Sequence, residues 1–148
     1  MRLLIQRVSK SSVQVRNKVV GEIGVGLLVL VGIKDGDNAD DARFLAEKLS
    51  KFRIMADGNG KMNISVKDLN AEVLAVSQFT LYADTSGGNR PSFIKAADPA
   101  VAKKIYEHFV DRLKSFDMRV ETGSFGDYMK IDAKLDGPVT IIMESSNG

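Results

Sequence analysis

The sequence predicts one strand-rich α+β domain with two amphipathic helices. Short apolar or alternating segments, bounded by glycine and other turn-forming residues, recur along the chain and are typical of β-strands. Two longer segments, residues 38–51 and 98–113, instead space their apolar residues at helical intervals. The 148 residues contain no internal repeat, linker or low-complexity tract. We therefore expect a single domain over residues 1–148.

The strands predicted in the first half of the chain lie at residues 3–5, 12–16, 19–23 and 27–31. An Asn-Lys turn at residues 17–18 connects the second of these strands to the third. The fourth is a continuous apolar run, which suits a strand buried on both faces. A short strand at residues 52–55 then leads into an Asp-Gly-Asn-Gly turn at residues 57–60.

Both predicted helices begin with residues that are typical of helix caps. Asn38 suits the N-cap of the first helix, and Asp40 and Asp41 suit the positive end of its dipole. Asp98 suits the N-cap of the second helix, and Pro99 follows at its first position. The apolar stripes predicted to face the core are Ala42, Leu45, Ala46 and Leu49 in the first helix and Val101, Ile105, Phe109 and Leu113 in the second.

The second half of the chain supplies the remaining predicted strands. A buried strand at residues 73–78 precedes the most flexible-looking loop of the chain, residues 86–91. Closing strands are predicted around residue 120 and at residues 129–131 and 139–143. The polar tail, residues 144–148, is expected to fray.

Composition and short motifs disfavour several classes of protein. No apolar run approaches the roughly 18 residues of a membrane span, and the first residues carry no signal-peptide pattern, so we expect a cytoplasmic protein without membrane contact. The absence of cysteine excludes disulfides, thiolate metal ligands and a cysteine nucleophile. The single histidine, His108, lies inside the second predicted helix, which disfavours a Ser-His-Asp hydrolase. Residues 35–40 begin like a calcium loop, but Ala39 replaces a ligand, and we expect no metal.

The net charge of +2 is too small to predict nucleic-acid binding by itself. It permits local basic patches, for which the candidates are Lys10, Arg16, Lys18, Arg90 and Lys95. The alternative is that each of these side chains belongs to an ordinary solvated surface.

Three short motifs carry most of the information about function. Residues 77–81, Ser-Gln-Phe-Thr-Leu, close an apolar strand with polar side chains around one phenylalanine. Residues 136–140, Asp-Gly-Pro-Val-Thr, place a restrictive Gly-Pro step before the last apolar strand. Together with Gln-Arg-Val at residues 6–8, these motifs resemble the D-aminoacyl-tRNA deacylases, and the resemblance extends from residue 1 to about residue 143.

The resemblance implies a fold and an activity that periodicity alone does not give. It implies a barrel-like or two-sheet β core with the helices packed against it, assembled as a homodimer. The implied activity is hydrolysis of the ester bond of D-aminoacyl-tRNA, with the aminoacylated 3′ end of tRNA as the partner. Glycyl-tRNA is a further expected substrate, since glycine has no side chain to reject. No cofactor and no obligatory protein partner are expected.

The catalytic residues implied by the resemblance are Ser77, Gln78, Phe79 and Thr80. Our preferred hypothesis is that backbone N–H groups near Phe79 and Thr80 bind the reacting carbonyl or water. Gln78 would bond to the terminal adenosine or the amino acid, and the free ribose hydroxyl would assist the attacking water. Thr80 as nucleophile is an alternative, disfavoured because no local base offers itself. Another alternative is that the Ser77 and Thr80 side chains only form hydrogen bonds to backbone groups at the end of the strand.

The resemblance also implies a chirality filter. Gly137 and Pro138 would be joined by a cis peptide bond and reach across the dimer interface, where carbonyl oxygens crowd the side chain of an L-amino acid. Arg7 would brace this loop, the alternative being a surface salt bridge, and Met129 would contribute to substrate binding. The family usually carries Asn where this chain has Leu135, so one polar brace is missing or is supplied by another group.

Residues 90–93, Arg-Pro-Ser-Phe, also resemble the family and suggest a basic loop at the phosphates of the acceptor stem. The alternative is a plain surface loop anchored by Phe93. Two other functions remain open: a non-catalytic nucleic-acid-binding dimer, and an editing domain with relaxed chirality that acts on L-alanyl or other mischarged tRNA. The sequence does not indicate which D-amino acid or tRNA is preferred.

Overall fold

The computed structural model describes residues 1–146. Its strands are β1 Arg2–Val15, β2 Lys18–Ile23, β3 Gly26–Gly32, β4 Met55–Ala56, β5 Met62–Ile64, β6 Glu72–Ser77, β7 Arg119–Thr122 and β8 Lys130–Glu144. The helices are α1 Ala39–Ser50 and α2 Pro99–Lys114, and a short 3-10 helix spans Phe79–Tyr82. This is the strand-rich α+β architecture that the sequence predicts. No helix within residues 1–146 is both long enough and apolar enough to cross a membrane.

The long strand β1 organises the sheet. One of its edges pairs antiparallel with β8, and the other pairs first with β3 and then with β2. On the far side of β3, β6 and then β7 add in parallel, so the path through the sheet is β2-β1-β3-β6-β7. The parallel pairs require long crossover connections, and α1 and α2 lie in these connections. The short strands β4 and β5 form a separate hairpin.

A glycine allows the sheet to close almost completely into a barrel. A Cβ atom added to Gly21 in β2 would lie 2.2 Å from the carbonyl oxygen of Thr122 in β7. These two strands are not paired with each other, so their backbones touch across the gap that remains in the sheet. Any larger residue at position 21 would force them apart. This contact confirms the barrel-like core that the family resemblance implies.

The sheet is buried on both of its faces. The outer face packs against the two helices in a core that includes Leu3, Leu27, Val29, Leu45, Leu49, Phe109 and Leu113. The inner face encloses a smaller core made of Val8, Val13, Ile23, Leu28, Leu74 and Val76. The continuous apolar runs of β3 and β6 supply residues to both cores, which confirms the prediction for residues 27–31.

The predicted helix starts are confirmed in detail. The Asn38 side chain accepts a hydrogen bond of 2.8 Å from the Asp40 N–H, and Asp41 accepts one of 2.9 Å from the Asn38 N–H, which completes a capping box. Asp98 accepts a bond of 3.0 Å from the Ala100 N–H at the start of α2. The apolar stripe of α2 was wrong at Val101, which is 49% exposed because the buried face turns toward Ala102, Tyr106 and Val110.

Several predicted strand boundaries were wrong. The segments expected at residues 3–5 and 12–16 are one strand, β1, and those at 129–131 and 139–143 are one strand, β8, which begins at residue 130. Pairing between β1 and β8, which shifts register between Gln6 and Lys10, extends both strands through the polar residues that interrupt each pattern. The strand expected at residues 52–55 is reduced to β4, which pairs with the unpredicted β5. The predicted strand at residues 73–78 ends at Ser77.

The tail does not begin to fray at residue 144. Glu144 is the last residue of β8 and forms an ion pair of 2.6 Å with Arg2. The Ser145 N–H then donates a hydrogen bond of 3.0 Å to the Met1 carbonyl oxygen. The prediction was therefore wrong for these two residues. Residues 147–148 of the predicted tail lie outside the described residues.

Candidate active site

The polar motif at residues 77–81 lies where β6 turns into the 3-10 helix. The Gln78 N–H donates a hydrogen bond of 2.8 Å to the Val31 carbonyl oxygen in β3. The Gln78 carbonyl oxygen then accepts a hydrogen bond of 3.3 Å from the Leu81 N–H. Between these bonds, the N–H groups of Phe79 and Thr80 have no acceptor among residues 1–146, as is usual at the start of a helix. The predicted pair of adjacent backbone donors is therefore present, on a 3-10 helix rather than on the strand itself.

A cavity of about 440 Å³ opens beside this turn, in the size range of small-molecule sites. Its walls are formed by the ends of β3 and β6, the start of α2, residues 125–129 and Ile131. The surface is mostly apolar, with Val31, Ile33, Val76, Ala96, Ala102 and Phe125 among its residues. Four of the predicted site residues lie on its walls, namely Ser77, Gln78, Phe79 and Met129. An apolar cavity with a few polar groups at one end suits an organic substrate.

Thr80 is exposed and lies next to the cavity rather than on its wall. Its hydroxyl oxygen accepts a short hydrogen bond from the Gln78 side-chain amide. An amide N–H cannot take a proton from a hydroxyl, so this partner does not activate Thr80 as a nucleophile. The same bond leaves the Gln78 side-chain oxygen available as an acceptor.

Phe79 reaches outward and meets a second aromatic residue. Its side chain is 55% exposed, and its ring packs edge to face against Phe93, with centroids 5.1 Å apart and planes at 73°. Such a pair is a favourable aromatic arrangement. This contact brings Phe93, which follows the predicted flexible loop of residues 86–91, to the edge of the cavity.

The base of this loop is held by Asp84. Its backbone pairs with Ser92 through bonds of 2.8 Å and 3.0 Å, and its carboxylate accepts bonds from the Ser86 hydroxyl and N–H. Lys95 lies 3.2 Å from the same carboxylate. These bonds, with the charge of Lys95, lower the pKa of Asp84 to about 2. The carboxylate therefore stays ionised and keeps the loop closed at neutral pH.

Met129 is held on the cavity wall by the segment before it. The Ser124 N–H lies 3.4 Å from the Met129 sulfur. A Cβ atom added to Gly123 would lie only 2.7 Å from that sulfur. The glycine thus allows the thioether to pack directly against the backbone and fixes its direction toward the cavity.

Two residues that support the site were not found from the sequence. The Arg2 guanidinium donates a bond of 2.8 Å to the Leu81 carbonyl and covers the ring of Tyr82, which holds the end of the 3-10 helix. The buried Tyr106 hydroxyl donates a bond of 2.7 Å to the Ala75 carbonyl in β6. Burial raises the pKa of both tyrosines, so their hydroxyl groups stay protonated. Since these partners are far apart in sequence, no local pattern could have indicated them.

Arg7, Gly137 and Pro138 form a second cluster. The Gly137–Pro138 peptide bond is cis. In the pairing of β1 with β8, Gln6 faces Thr140 and Val8 faces Leu135, so Arg7 alone faces the segment 136–139. The extra residues of β8 form a bulge. Arg7 contacts the first of them, with its Nε 3.2 Å from the Asp136 carbonyl oxygen.

The bulge does not line the cavity formed by its own chain. Along β8, Gly137 follows Met129 by eight residues, which at about 3.3 Å per residue corresponds to at most roughly 26 Å. The structure therefore gathers the predicted residues into two separated groups. Residues 136–138 are exposed, so the bulge is accessible from outside the chain.

Leu135, which stands in place of the usual Asn, pairs with Val8 and is 45% exposed. Arg7, the other predicted brace, is in place, since its guanidinium also pairs with the Asp136 carboxylate at 3.3 Å.

The remaining candidates from the sequence are dispersed. Lys95 forms an ion pair with Asp84. The other basic candidates are exposed and do not line one common cavity; they are Lys10, Arg16, Lys18 and Arg90. His108 is exposed on α2, away from the residues that line the cavity. Within residues 1–146, no cluster of three or more histidine and acidic side chains is arranged to hold a metal ion.

Comparison with known proteins relates the whole chain to one family. Residues 4–144 match the family model described as D-Tyr-tRNA(Tyr) deacylase. A D-aminoacyl-tRNA deacylase of Thermosipho africanus is 50% identical over 145 residues, which cover 98% of this chain and 97% of that protein. One of Thermotoga petrophila is 51% identical over 146 residues, covering 99% and 98% of the two chains.

Two solved structures share the fold. One is titled c-Myc DNA Unwinding Element Binding Protein and superposes with a TM-score of 0.92 at 36% identity, covering 99% of this chain and 100% of the other. A second, titled as a probable eukaryotic D-amino acid tRNA deacylase, superposes with a TM-score of 0.83 at 18% identity, covering 97% and 98%. The second likeness concerns the fold alone.

Proposed function

The chain belongs to the D-Tyr-tRNA(Tyr) deacylase family, and on that premise we propose that it hydrolyses the ester bond of D-aminoacyl-tRNA. Water adds to the ester carbonyl, the bond to the ribose oxygen breaks, and a free D-amino acid and an uncharged tRNA leave. The observation that carries the proposal is the meeting of Ser77, Gln78, Phe79 and Met129 on one apolar cavity, beside two unpaired backbone donors. In the cell this activity is a proofreading step of translation in the cytoplasm.

The proposed mechanism uses backbone groups to stabilise charge. In this mechanism the unpaired N–H groups of Phe79 and Thr80 bind the ester oxygen as it becomes negative, and preorganised donors of this kind contribute strongly to acyl-transfer catalysis. The free side-chain oxygen of Gln78 accepts a bond from the terminal adenosine or from the amino group. An aminoacyl ester is already activated, so the adjacent ribose hydroxyl suffices to assist the attacking water. In this mechanism Thr80 does not act as a nucleophile.

Selection for the D-enantiomer is proposed to need a second copy of the chain. The accessible Gly137–Pro138 bulge cannot reach its own cavity, and in a homodimer it would enter the cavity of the other subunit. Its carbonyl oxygens would then crowd the side chain of an L-amino acid and leave room for hydrogen. Glycyl-tRNA would pass this filter. Arg7 would act through the bulge, as a positioning residue.

The decisive experiment compares D-tyrosyl-tRNA with L-tyrosyl-tRNA as substrates of the purified protein, with EDTA present. Rapid loss of the D-ester alone supports the proposed reaction, its chirality and its independence of metal. Loss of activity in EDTA that added metal restores would contradict the expectation of no metal. Loss of the L-tyrosyl ester, or of L-alanyl-tRNA assayed beside it, would favour the relaxed editing domain.

A second candidate function is nucleic-acid binding without catalysis. It is favoured by the structural relative of 36% identity whose title describes binding to a DNA unwinding element. Under this alternative the folded protein would bind RNA or DNA and cleave neither tyrosyl ester. The polar turn at residues 77–80 argues against it, because a binding module has no need of unpaired donors beside an apolar cavity.

A further inference from the structure

A second cavity of about 250 Å³ adjoins the one described above. Asp127 and Tyr128 lie on the walls of both cavities. The other walls of the second cavity come from the turn between β1 and β2 and from the first residue of β8, and they include Gln14, Arg16, Asn17 and Lys130. Asp127 and Tyr128 therefore stand between the two cavities, where a chain-like ligand that occupies both would pass.

The ring of Tyr128 is unusually exposed for an aromatic side chain. It is 85% accessible, although it stands between two concave surfaces. An exposed, flat aromatic ring at the edge of a groove is the feature on which single-stranded nucleic acids stack their bases. Stacking of this kind requires no particular base, because every base has a π face.

The charges on the second cavity favour a polyanion. Arg16 and Lys130 are both exposed, and no carboxylate within residues 1–146 lies within 4.0 Å of either cation. The one acidic residue on the walls is Asp127, whose carboxylate accepts a short hydrogen bond from the Ser124 hydroxyl. Two cations against one carboxylate leave a local charge of +1, and both cations remain available to phosphate groups.

The backbones of the two cationic residues are held in position by the sheet. Arg16 and Asn17 form the two-residue turn between β1 and β2, with φ of 51° and 64°. Lys130 faces Gln14 in the pairing of β1 with β8. The cationic wall is thus built on the ends of three paired strands, which lowers the conformational cost of binding.

We propose that this second cavity binds the single-stranded nucleotides that precede the terminal adenosine of the RNA substrate. Tyr128 stacks against a base, and Arg16 and Lys130 contact phosphates. The inference rests on the proposed function, since that function places the aminoacylated adenosine in the first cavity. The contacts anchor the 3′ end of the RNA and raise its affinity without taking part in the chemistry.

The test compares two substrates that share the ester and differ in the RNA. One is D-tyrosyl-tRNA and the other is the minimal ester, D-tyrosyl-adenosine. Tyr128→Ala and the double variant Arg16→Ala with Lys130→Ala are compared with the wild type and with Lys103→Ala, an exposed cation on α2. We expect kcat/KM for the tRNA ester to fall about 5- to 100-fold in Tyr128→Ala. For the adenosine ester it falls less in this variant, because Tyr128 also lines the first cavity, and it stays unchanged in the double variant, whose two residues line only the second.

Two further measurements separate a binding role from a structural one: the salt dependence of kcat/KM and the activity of Tyr128→Phe. Loss of two phosphate contacts in the double variant should reduce the slope of log kcat/KM against log salt by roughly 1.4, at about 0.7 per contact. Lys103→Ala should keep the wild-type slope. Tyr128→Phe keeps the ring and should retain activity on the tRNA ester.

The outcomes distinguish this inference from the function on which it rests. If the wild type cleaves neither ester, the proposed function is wrong and the inference falls with it. If the wild type cleaves both and the variants lose activity on both alike, Tyr128 serves the first cavity and the inference alone is overturned. Unchanged cleavage of the tRNA ester by all variants also overturns it.

Discussion

The guanidinium of Arg7 ties the bulge that begins at Asp136 to another part of the chain. Its Nε lies 3.2 Å from the Asp136 carbonyl oxygen and 3.3 Å from the Asp136 carboxylate. Its Nη1 donates a bond of 3.0 Å to the Ile54 carbonyl. The Arg7 side chain is only 12% exposed but that of Asp136 is 60% exposed, so solvent screens the ion pair and the bonds to the two backbone carbonyl groups contribute more to this link.

Arg7→Lys should weaken selection between enantiomers although it keeps the charge. A lysine has one compact ammonium and cannot reach both Asp136 and Ile54 in the geometry of a planar guanidinium. We expect the ratio of kcat/KM for D-tyrosyl-tRNA to that for L-tyrosyl-tRNA to fall about tenfold or more. Arg53→Ala removes an exposed arginine that bonds to Asn63 and serves as the control. An unchanged ratio in Arg7→Lys would show that Arg7 does not position the bulge.

Thr80→Val should retain turnover within about threefold of the wild type. The substitution removes the hydroxyl that bonds to Gln78 but leaves the backbone N–H groups of residues 79 and 80 in place. Single-turnover hydrolysis of D-tyrosyl-tRNA measures the effect, with circular dichroism to verify folding. Loss of about 1,000-fold in a folded variant would favour the nucleophile that we reject.

Gly137→Ala should reduce activity on the D-ester about tenfold or more. Gly137 has a φ of 128°, and an added Cβ would lie 2.9 Å from both the backbone nitrogen and a side-chain carbon of Val139. The bulge must therefore change shape. Gly87→Ala is the matched control, because an added Cβ there has no atom within 4 Å. Equal activity of the two variants would show that the bulge is only a turn.

Tyr106→Phe should lower stability without removing activity. The variant loses the buried bond of 2.7 Å to the Ala75 carbonyl but keeps the ring that packs against Phe125. We expect the free energy of unfolding to fall by about 1 kcal/mol, which lowers the Tm by roughly 2–4 °C for a chain of this size. Tyr128→Phe, which changes an exposed ring, is the control and should leave the Tm unchanged. An equal Tm for both variants would contradict the prediction.

The carboxyl group of Asp84 should titrate near pH 2. Its folded pKa lies below the ordinary 3.8 because Ser86 and Lys95 stabilise the charged form. The bonds therefore stabilise the loop above about pH 4, and this stabilisation is lost as the pH falls through about 2. Carboxyl NMR chemical shifts measure the titration. Ser86→Ala should raise the pKa of Asp84 and leave that of Asp57 unchanged. An ordinary pKa for Asp84 would show that its bonds to Ser86 do not persist in solution.

Features encoded by neighbouring residues were predicted well. Asn38 and Asp98 cap their helices as expected, because a capping bond joins residues only two or three positions apart. The apolar run of β3 is buried on both faces for a similar reason, since its pattern reports burial directly. The boundaries of β1 and β8 were missed because cross-strand pairing extended both strands through polar residues.

For the candidate site, the sequence indicated the residues but not how they are grouped. Ser77, Gln78, Phe79 and Met129 lie on one cavity with Thr80 beside it, whereas Arg7 and the Gly-Pro step lie on another part of β1 and β8. The sequence also gave no sign of Arg2 at the end of the 3-10 helix. Contacts of this kind join residues that are about 80 to 130 positions apart, and no local pattern records them.

The sequence by itself therefore determined the fold class, the helix starts, the buried strands and the family, because each depends on local periodicity, capping chemistry or contiguous motifs. Only the tertiary structure decided that the sheet closes through Gly21 against Thr122, that the motif residues separate into two groups, and that Tyr128 stands between two cavities. The physical reason is that these features depend on close approach between strands and loops distant in the chain, which packing of the whole barrel determines.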